Sequence, residues 1–429
     1  MADAADAHHG DAATALTRLV RDEGRAVLAS LAGRLGDLGL AEDAVQEAAL
    51  QALDRWGRDG IPPNPRAWLL TTARHRALDR LRREARRTDK ETEAVAMLEH
   101  DPAPPSDSAV HDDLLRLVFT CCHPSLAPET QVALSLRTLC GLTTAEVARA
   151  LVVSEATMTK RLTRARRKIA VAAIPYRVPA DHELPYRVAQ VATTVYLVFN
   201  EGFAATGGDA HQRADLAEEA IRLGRLLVDL LPGDPALEGL LALMLLQDAR
   251  REARTDAEGA IVLLPDQDRA RWDRAAIEEA VVLIGDALRR TPDRPDPYVV
   301  QAAIAAVHAL SPSWEATDQA AIVSWYDVLL TVADTPIARL NRAVALAERD
   351  GAAAGLAVVE QLHGLDAHAP WHAVRADLLA RTGRTAEAVA ALDAALELVV
   401  PAPVRAHLLG RRAALTARPR PVPEPTAPA

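Results

Sequence analysis

From about Ala13 to Leu415, apolar residues return every third or fourth position with few interruptions. A stripe of that period lies on one face of an α-helix and does not fit a strand, whose side chains alternate every second residue. The apolar content is carried by Ala, Leu and Val, and aromatics make up only 3% of the 429 residues. Helices favour Ala and Leu, whereas strands draw on β-branched and aromatic side chains. The expected fold class is therefore all-α, and the length allows two to four domains.

The formal net charge of −10 argues against a nucleic-acid partner only if it is evenly spread, and it is not. Residues 1–174 hold 24 Lys and Arg against 24 Asp and Glu, so the whole acidic excess belongs to residues 175–429. Within the neutral part the bases are clumped: seven arginines lie between Arg74 and Arg87, and six Lys or Arg between Lys160 and Lys168. Such asymmetry marks a nucleic-acid-binding module joined to an acidic one. Membrane and secretion readings fail. The Gly239–Leu246 apolar run is far shorter than the ~20 residues that span a bilayer, and acids stand where a secretory leader has a basic start. A cytoplasmic location is expected, and three cysteines are too few for a disulfide framework.

Punctuation divides the chain. An opening helix covers Ala13 to Leu35, a break follows at 36–40, and a helix runs from Ala41 to Trp56. GRDGIPPN at 57–64 is a loop. Asn64 then caps a long helix with Pro65 at its first position, where a missing N–H costs nothing. The acidic, proline-bearing stretch 89–110 reads as a flexible linker. Helices cover 111–173. The region 174–415 is helical again, and 416–429 is a Pro-rich tail expected to be disordered. Trp371 to Leu398 resembles a tetratricopeptide repeat (TPR), and Ala338 to Leu362 is a weaker version. Their turn glycines, Gly351 and Gly383, stand near that repeat's ~34-residue period, which would stack helix pairs into a solenoid.

Three helices carry the functional signal. In GLTTAEVARALVVSEATMTKRLTRARRKIA (141–170), Thr143 and Glu146 form a capping box, Val152 and Val153 form a turn, and Ser154 caps a second helix. Helix, short turn, helix is the helix-turn-helix pattern. Met158, Leu162, Ala165 and Ile169 make the buried stripe. Ala156, Thr157, Lys160, Arg161, Thr163, Arg164 and Arg167 are left to face a major groove, where bases hold phosphates and Arg or Lys reads guanine. On the helix from Pro65, Leu70, Ala73, Ala77 and Leu81 are the predicted buried stripe. Arg76, Arg80, Arg83 and Arg87 fall within an arc of about 60°, a cationic ridge for a phosphate backbone. On the helix from Ala41, Val45, Ala48, Ala52 and Trp56 face inward. Asp43, Glu47, Leu50 and Asp54 face outward, an exposed leucine in an acidic stripe that suits protein docking.

Taken together, AEDAVQEAALQALDRW, NPRAWLLTTARHRALDRLRR, a linker and the helix-turn-helix resemble the extracytoplasmic-function (ECF) sigma factors of bacterial RNA polymerase. The resemblance spans residues ~13–172. It implies that 13–88 is sigma region 2, which docks on core RNA polymerase and reads the −10 promoter element. It implies that 111–173 is region 4, which reads the −35 element. Polymerase contact would then fall to Asp43, Gln46, Glu47, Leu50 and Asp54. The −10 set would be Asn64, Trp68, Arg74, Arg76, Arg80, Arg83 and Arg87; Leu69, Ala73, Asp79 and Arg82 also match the motif. Val152 stands where the turn is often glycine, and His75 where asparagine is common. DLLRLVFTCCHP (113–124) and YLVFNEGF (196–203) resemble the subgroup with a large TPR-like C-terminal domain implicated in regulation. This places Asn200, Glu201 and Gly202 as candidate contacts for the DNA-binding regions or a regulatory partner.

Cys121, Cys122 and His123 lack the spacer of a zinc site and sit in helical apolar periodicity, so they read as core, with no metal or cofactor expected. The bland reading of Asn200-Glu201-Gly202 is a helix end at a glycine cap. HExxH, phosphate-cradling and nucleophile-elbow motifs are missing, so no enzyme is expected. The alternative function is a helix-turn-helix regulator with a repeat-type sensor and no polymerase contact. The Asp43–Asp54 stripe separates the two.

Overall fold

The computed structural model describes residues 2–88, 107–151, 153–172, 174–203, 214–398 and 400–417. The expected linker at 89–106 and the tail from 418 lie outside the described residues, as does the turn residue Val152. Among the described residues every regular element is helical, apart from an isolated antiparallel bridge between Thr255 and Ile261. Two units divide the chain, Met1–Val198 and Phe199–Ala429.

In the first unit α1 (Ala2–Leu35) packs along α2 (Leu38–Asp59), and α3 (Pro65–Thr88) lies against both. Gly36, at φ +63°, ends α1. The Asp37 carboxylate accepts the Leu40 amide at 3.0 Å. That cap starts α2 three residues before the Ala41 predicted from periodicity. The buried face of α2 runs through Leu38, Ala41, Glu42, Ala44, Ala48, Ala52 and Trp56, while Val45, expected inside, is only partly covered at its edge. Asn64 caps α3 as predicted, its Oδ1 accepting the Ala67 amide at 3.0 Å. The stripe of α3 is Leu69, Ala73, Ala77, Leu78 and Leu81, with Leu70 half-buried. Packing against two neighbours widens and rotates the apolar arc beyond what a single stripe suggests.

The same unit continues with α4 (Asp107–Cys121), α5 (Pro128–Thr138), α6 (Thr144–Ala150) and α7 (Glu155–Val171). Residues 107–110, expected as linker, are already the first turn of α4. Cys121, Cys122 and Cys140 are free and buried, and burial pushes the Cys121 and Cys122 thiols up. They are core residues. Helix α4 packs on α1. Beside them, the Tyr176 hydroxyl donates to Ala29 O at 2.9 Å and shares its proton with Asp113 O at 3.1 Å. The division between the units falls within α8 (Leu184–Phe203). Arg187 donates to Phe119 O at 2.5 Å, and Thr194 Oγ1 lies 3.0 Å from Gln131 Oε1. The start of α8 thus belongs to the first unit's core.

In the second unit α9 (Ala214–Leu230), α11 (Arg274–Arg290) and α12 (Pro297–Leu310) surround α10 (Pro235–Asp248). Every residue of α10 from Leu237 to Leu246 is buried, so the apolar run that stood out in the sequence is a central core helix. Then follow α13 (Gln319–Val332), α14 (Pro336–Asp350), α15 (Ala352–Val359), α16 (Ala369–Arg381), α17 (Thr385–Glu397) and α18 (Ala402–Thr416). Gly351 (φ +98°) turns α14 into α15 and Gly383 (φ +80°) turns α16 into α17, conformations that favour glycine. None of the described helices is long and apolar enough to cross a membrane.

His308 of α12 stacks on Trp314 at 5.7 Å between ring centroids. Burial, with Arg269 and Arg250 nearby, lowers its pKa to about 4. Its ordinary value is near 6.5. The folded chain therefore resists protonating this ring. The stability it contributes is whole above about pH 6.5 and is lost as pH falls toward 4. Thermal melts at steps between pH 7 and 4 should show a steeper loss for the wild type than for His308→Gln; parallel curves would contradict this.

Candidate nucleic-acid interface

Helix α7 is set by its caps. Ser154 Oγ accepts the Thr157 amide at 3.2 Å. At the preceding helix Thr143 Oγ1 accepts the Glu146 amide at 3.2 Å while Glu146 Oε2 accepts the Thr143 amide at 2.7 Å. Those bonds hold the Glu146 carboxyl below the usual range. Met158, Leu162, Ala165 and Ile169 are buried. Ala156, Thr157, Lys160, Thr163, Arg164 and Arg167 are exposed and Arg161 is half-buried, as the helical phase predicted. Thr163 Oγ1 donates to Thr159 O at 2.8 Å, so it offers outward a methyl group and a lone pair. Beside this face Leu126, Ala127 and Thr130 complete a groove of about 370 Å³ with Thr157, Lys160, Arg161, Arg164 and Lys168. Cations on an open helix face beside a groove can follow a phosphate backbone while the first turns reach base edges.

The arginine ridge of α3 is less uniform than its spacing suggests. Arg76 donates to Gln51 Oε1 at 2.8 Å, and Arg80 pairs with Asp43 at 2.8 Å. Both are turned toward α2, so a residue proposed for polymerase contact holds one proposed for DNA. Arg83 is exposed and bonds Asp79 O at 3.1 Å; Arg82 is exposed and Arg74 half-buried. The Arg87 side chain lies outside the described residues. Asn64 is spent on its cap. Trp68 is half-buried, edge-on to Trp56 at 5.5 Å.

On α2, Leu50 is 68% exposed and Leu53 stands beside it. Gln46 and Asp54 are exposed, the latter paired with Arg58, and Glu47 is half-buried. Asp43, Glu47, Leu50 and Asp54 recur at three- and four-residue steps along one face. Periodicity did not single out Glu42. It is buried, accepts a hydrogen bond from Thr138 Oγ1 at 2.9 Å on Oε1, and pairs with Arg166 of α7 through Oε2. Its signal was its place one turn before Val45, on the edge of the apolar stripe.

Asn200, Glu201 and Gly202 lie in the last turn of α8. Gly202 is buried inside the helix, which continues to Phe203, so the glycine-cap reading is corrected. The helix end is satisfied by an arginine instead. Arg254 donates to Phe203 O at 2.5 Å and stacks over the Phe203 ring at 3.6 Å, with Arg250 at 5.5 Å. Burial lowers Arg254 to about 9 and Arg250 to about 10. A cation at the carbonyl end of a helix is favourably placed.

Comparison with known proteins gives three family matches along the chain. Residues 19–87 match the Sigma-70 region 2 family, 116–169 match Sigma-70, region 4, and 187–288 match a family of unknown function, DUF6596. An uncharacterized protein of Rhizobium meliloti, R00370, is 44% identical over 394 residues, covering 90% of this chain and 93% of that one. The ECF RNA polymerase sigma factor SigL of Mycobacterium tuberculosis is 33% identical over 155 residues, 35% of this chain and 85% of SigL. The probable ECF RNA polymerase sigma factor SigI of the same organism is 31% identical over 169 residues, 38% of this chain and 58% of SigI. No solved structure matches significantly. The chain belongs to the ECF RNA polymerase sigma factors, and it carries a large helical extension beyond regions 2 and 4.

Proposed function

We propose that this sigma factor binds core RNA polymerase through the Asp43–Asp54 face of α2 and directs it to promoters by two DNA contacts. The exposed α3 side chains meet the −10 element, and the open face of α7 enters the major groove of the −35 element. The observation that carries this reading is α7: a capped helix with a buried apolar stripe and an opposite face of Lys160, Thr163, Arg164 and Arg167 left to solvent. Residues 13–88 and 111–173 serve as the two binding domains. The helical extension controls when they act, with Asn200, Glu201 and Gly202 as its candidate contact. Its acidic excess suits it to compete for basic faces at low ionic strength.

The test is in vitro transcription from templates with randomised upstream DNA, using core polymerase and the full chain. Starts that share two upstream elements are expected only when both proteins are present. Specific duplex binding by the chain alone, without such starts, would favour the rival regulator. For the extension, a chain ending after Phe203 keeps the part of α8 that covers Phe119 and Gln131. Promoter output equal to that of the full chain would count against control by the extension.

A further inference from the structure

We propose that the second unit binds a small oxyanion, a phosphate or a carboxylate, among Arg250, Arg269 and His308. The site is independent of the promoter contacts argued above. Arg250 follows α10, Arg269 lies in the segment between α10 and α11, and His308 is in the last turn of α12. Both arginines stand close enough to the imidazole to oppose its protonation. Arg254 is near enough to Arg250 for the two cations to repel. Basic side chains from separate segments thus gather in one part of the fold.

The neighbouring acids do not supply the counter-charge. Arg250 donates to the neutral Gln247 Oε1 at 2.7 Å and lies over the Phe203 ring; among the described residues no acid pairs with it. Asp248 is held by Arg251 through bonds of 2.8 and 2.6 Å. Arg269 is only 9% exposed. Its Nη1 donates to His308 O and, at 2.8 Å, to Ser311 O, and its guanidinium lies 4.7 Å over the Trp272 ring. Its Nη2 is buried without a partner, as are Trp272 Nε1 and His308 Nδ1. Glu315, whose charge reaches Arg269, is exposed and bonded to Ser313. Arginine keeps its charge inside a protein, and a buried cation without a counter-ion is strongly disfavoured. One anion would offset both cations and offer acceptors to the orphaned N–H groups. The guanidinium fork fits the oxygens of phosphate or carboxylate. Arg250 and His308 are half-buried, which leaves a way in.

The test is thermal melting of the full chain at constant ionic strength, with inorganic phosphate or acetate added. A ligand that binds only the folded state stabilises it, so about 10 mM of the fitting anion should raise the melting temperature by about 3 °C or more. Which of the two probes acts tells a phosphate site from a carboxylate site. Arg250→Met should lose the shift. Without either anion it should melt at least as high as the wild type, because it removes an uncompensated buried cation. Lys160→Gln combined with Arg164→Gln should keep the shift, which separates it from anions held on the basic face of α7. No shift with either anion, an undiminished shift in Arg250→Met, or an anion-free Arg250→Met that melts well below the wild type would overturn the site.

Discussion

Leu50→Glu is expected to remove most polymerase-dependent initiation while leaving the fold unchanged. The side chain is 68% exposed, so the substitution loses little burial and should alter stability by no more than about 0.5 kcal/mol. Its cost falls on docking. An apolar side chain at the centre of an acidic face, flanked by Glu47 and Asp54, has the makings of an anchor that is buried only on binding. Truncating such an anchor costs about 2 kcal/mol or more, roughly a thirtyfold loss of affinity. A carboxylate in its place would also have to be desolvated. Titrating core polymerase against wild type and variant measures the loss directly. Duplex binding by the basic face of α7 should be unaffected, which separates this effect from misfolding. Wild-type polymerase affinity in the variant would remove α2 from the interface.

The second large effect belongs to the extension. A Cβ at Gly239 of α10 would sit 2.5 Å from the Val299 amide nitrogen, 2.6 Å from Val299 Cγ2 and 2.9 Å from its Cα. Two of those atoms are backbone of α12, so a rotamer change cannot relieve the contact and the helices must separate. Overpacking of this kind costs about 1–3 kcal/mol, and a unit of this size should lose roughly 2–12 °C in melting temperature. Gly285→Ala is the control. Its Cβ would meet only the flexible end of Arg289, at 3.4 Å, and in the interior of α11 alanine should stabilise by about 0.5–1 kcal/mol. Calorimetry on both variants reads opposite signs; a neutral Gly239→Ala would contradict the close crossing.

Local features were legible in the sequence and long-range ones were not. The caps at Thr143, Ser154 and Asn64, and the buried stripe Met158, Leu162, Ala165, Ile169, follow from bonds and periods within one helix. Their geometry needs no knowledge of what lies opposite. The pairing of Arg80 with Asp43, 37 residues away, and of Glu42 with Thr138, 96 residues away, depends on how helices pack. Spacing along the chain carries no information about that. Arg76 and Arg80 looked like part of an unbroken ridge because Asp79 and Glu84 fall outside their arc of the helix, yet Gln51 and Asp43 face them in space. Helix α10 shows the other limit. Apolar on all sides, it has no preferred face for periodicity to reveal, and only its neighbours determine its place.

That burial of α10 makes the extension mechanically uneven. Its backbone is sheathed by three other helices, so opening it means opening most of what surrounds it. The helices from α14 onward mostly touch the next in line, as links do in a chain. Such an array can fray, shorten or gain a hairpin at its free end without disturbing the sheathed block. Changes in the helices past α14 should therefore stay local, whereas a change in the block of α9 to α12 is felt throughout that block.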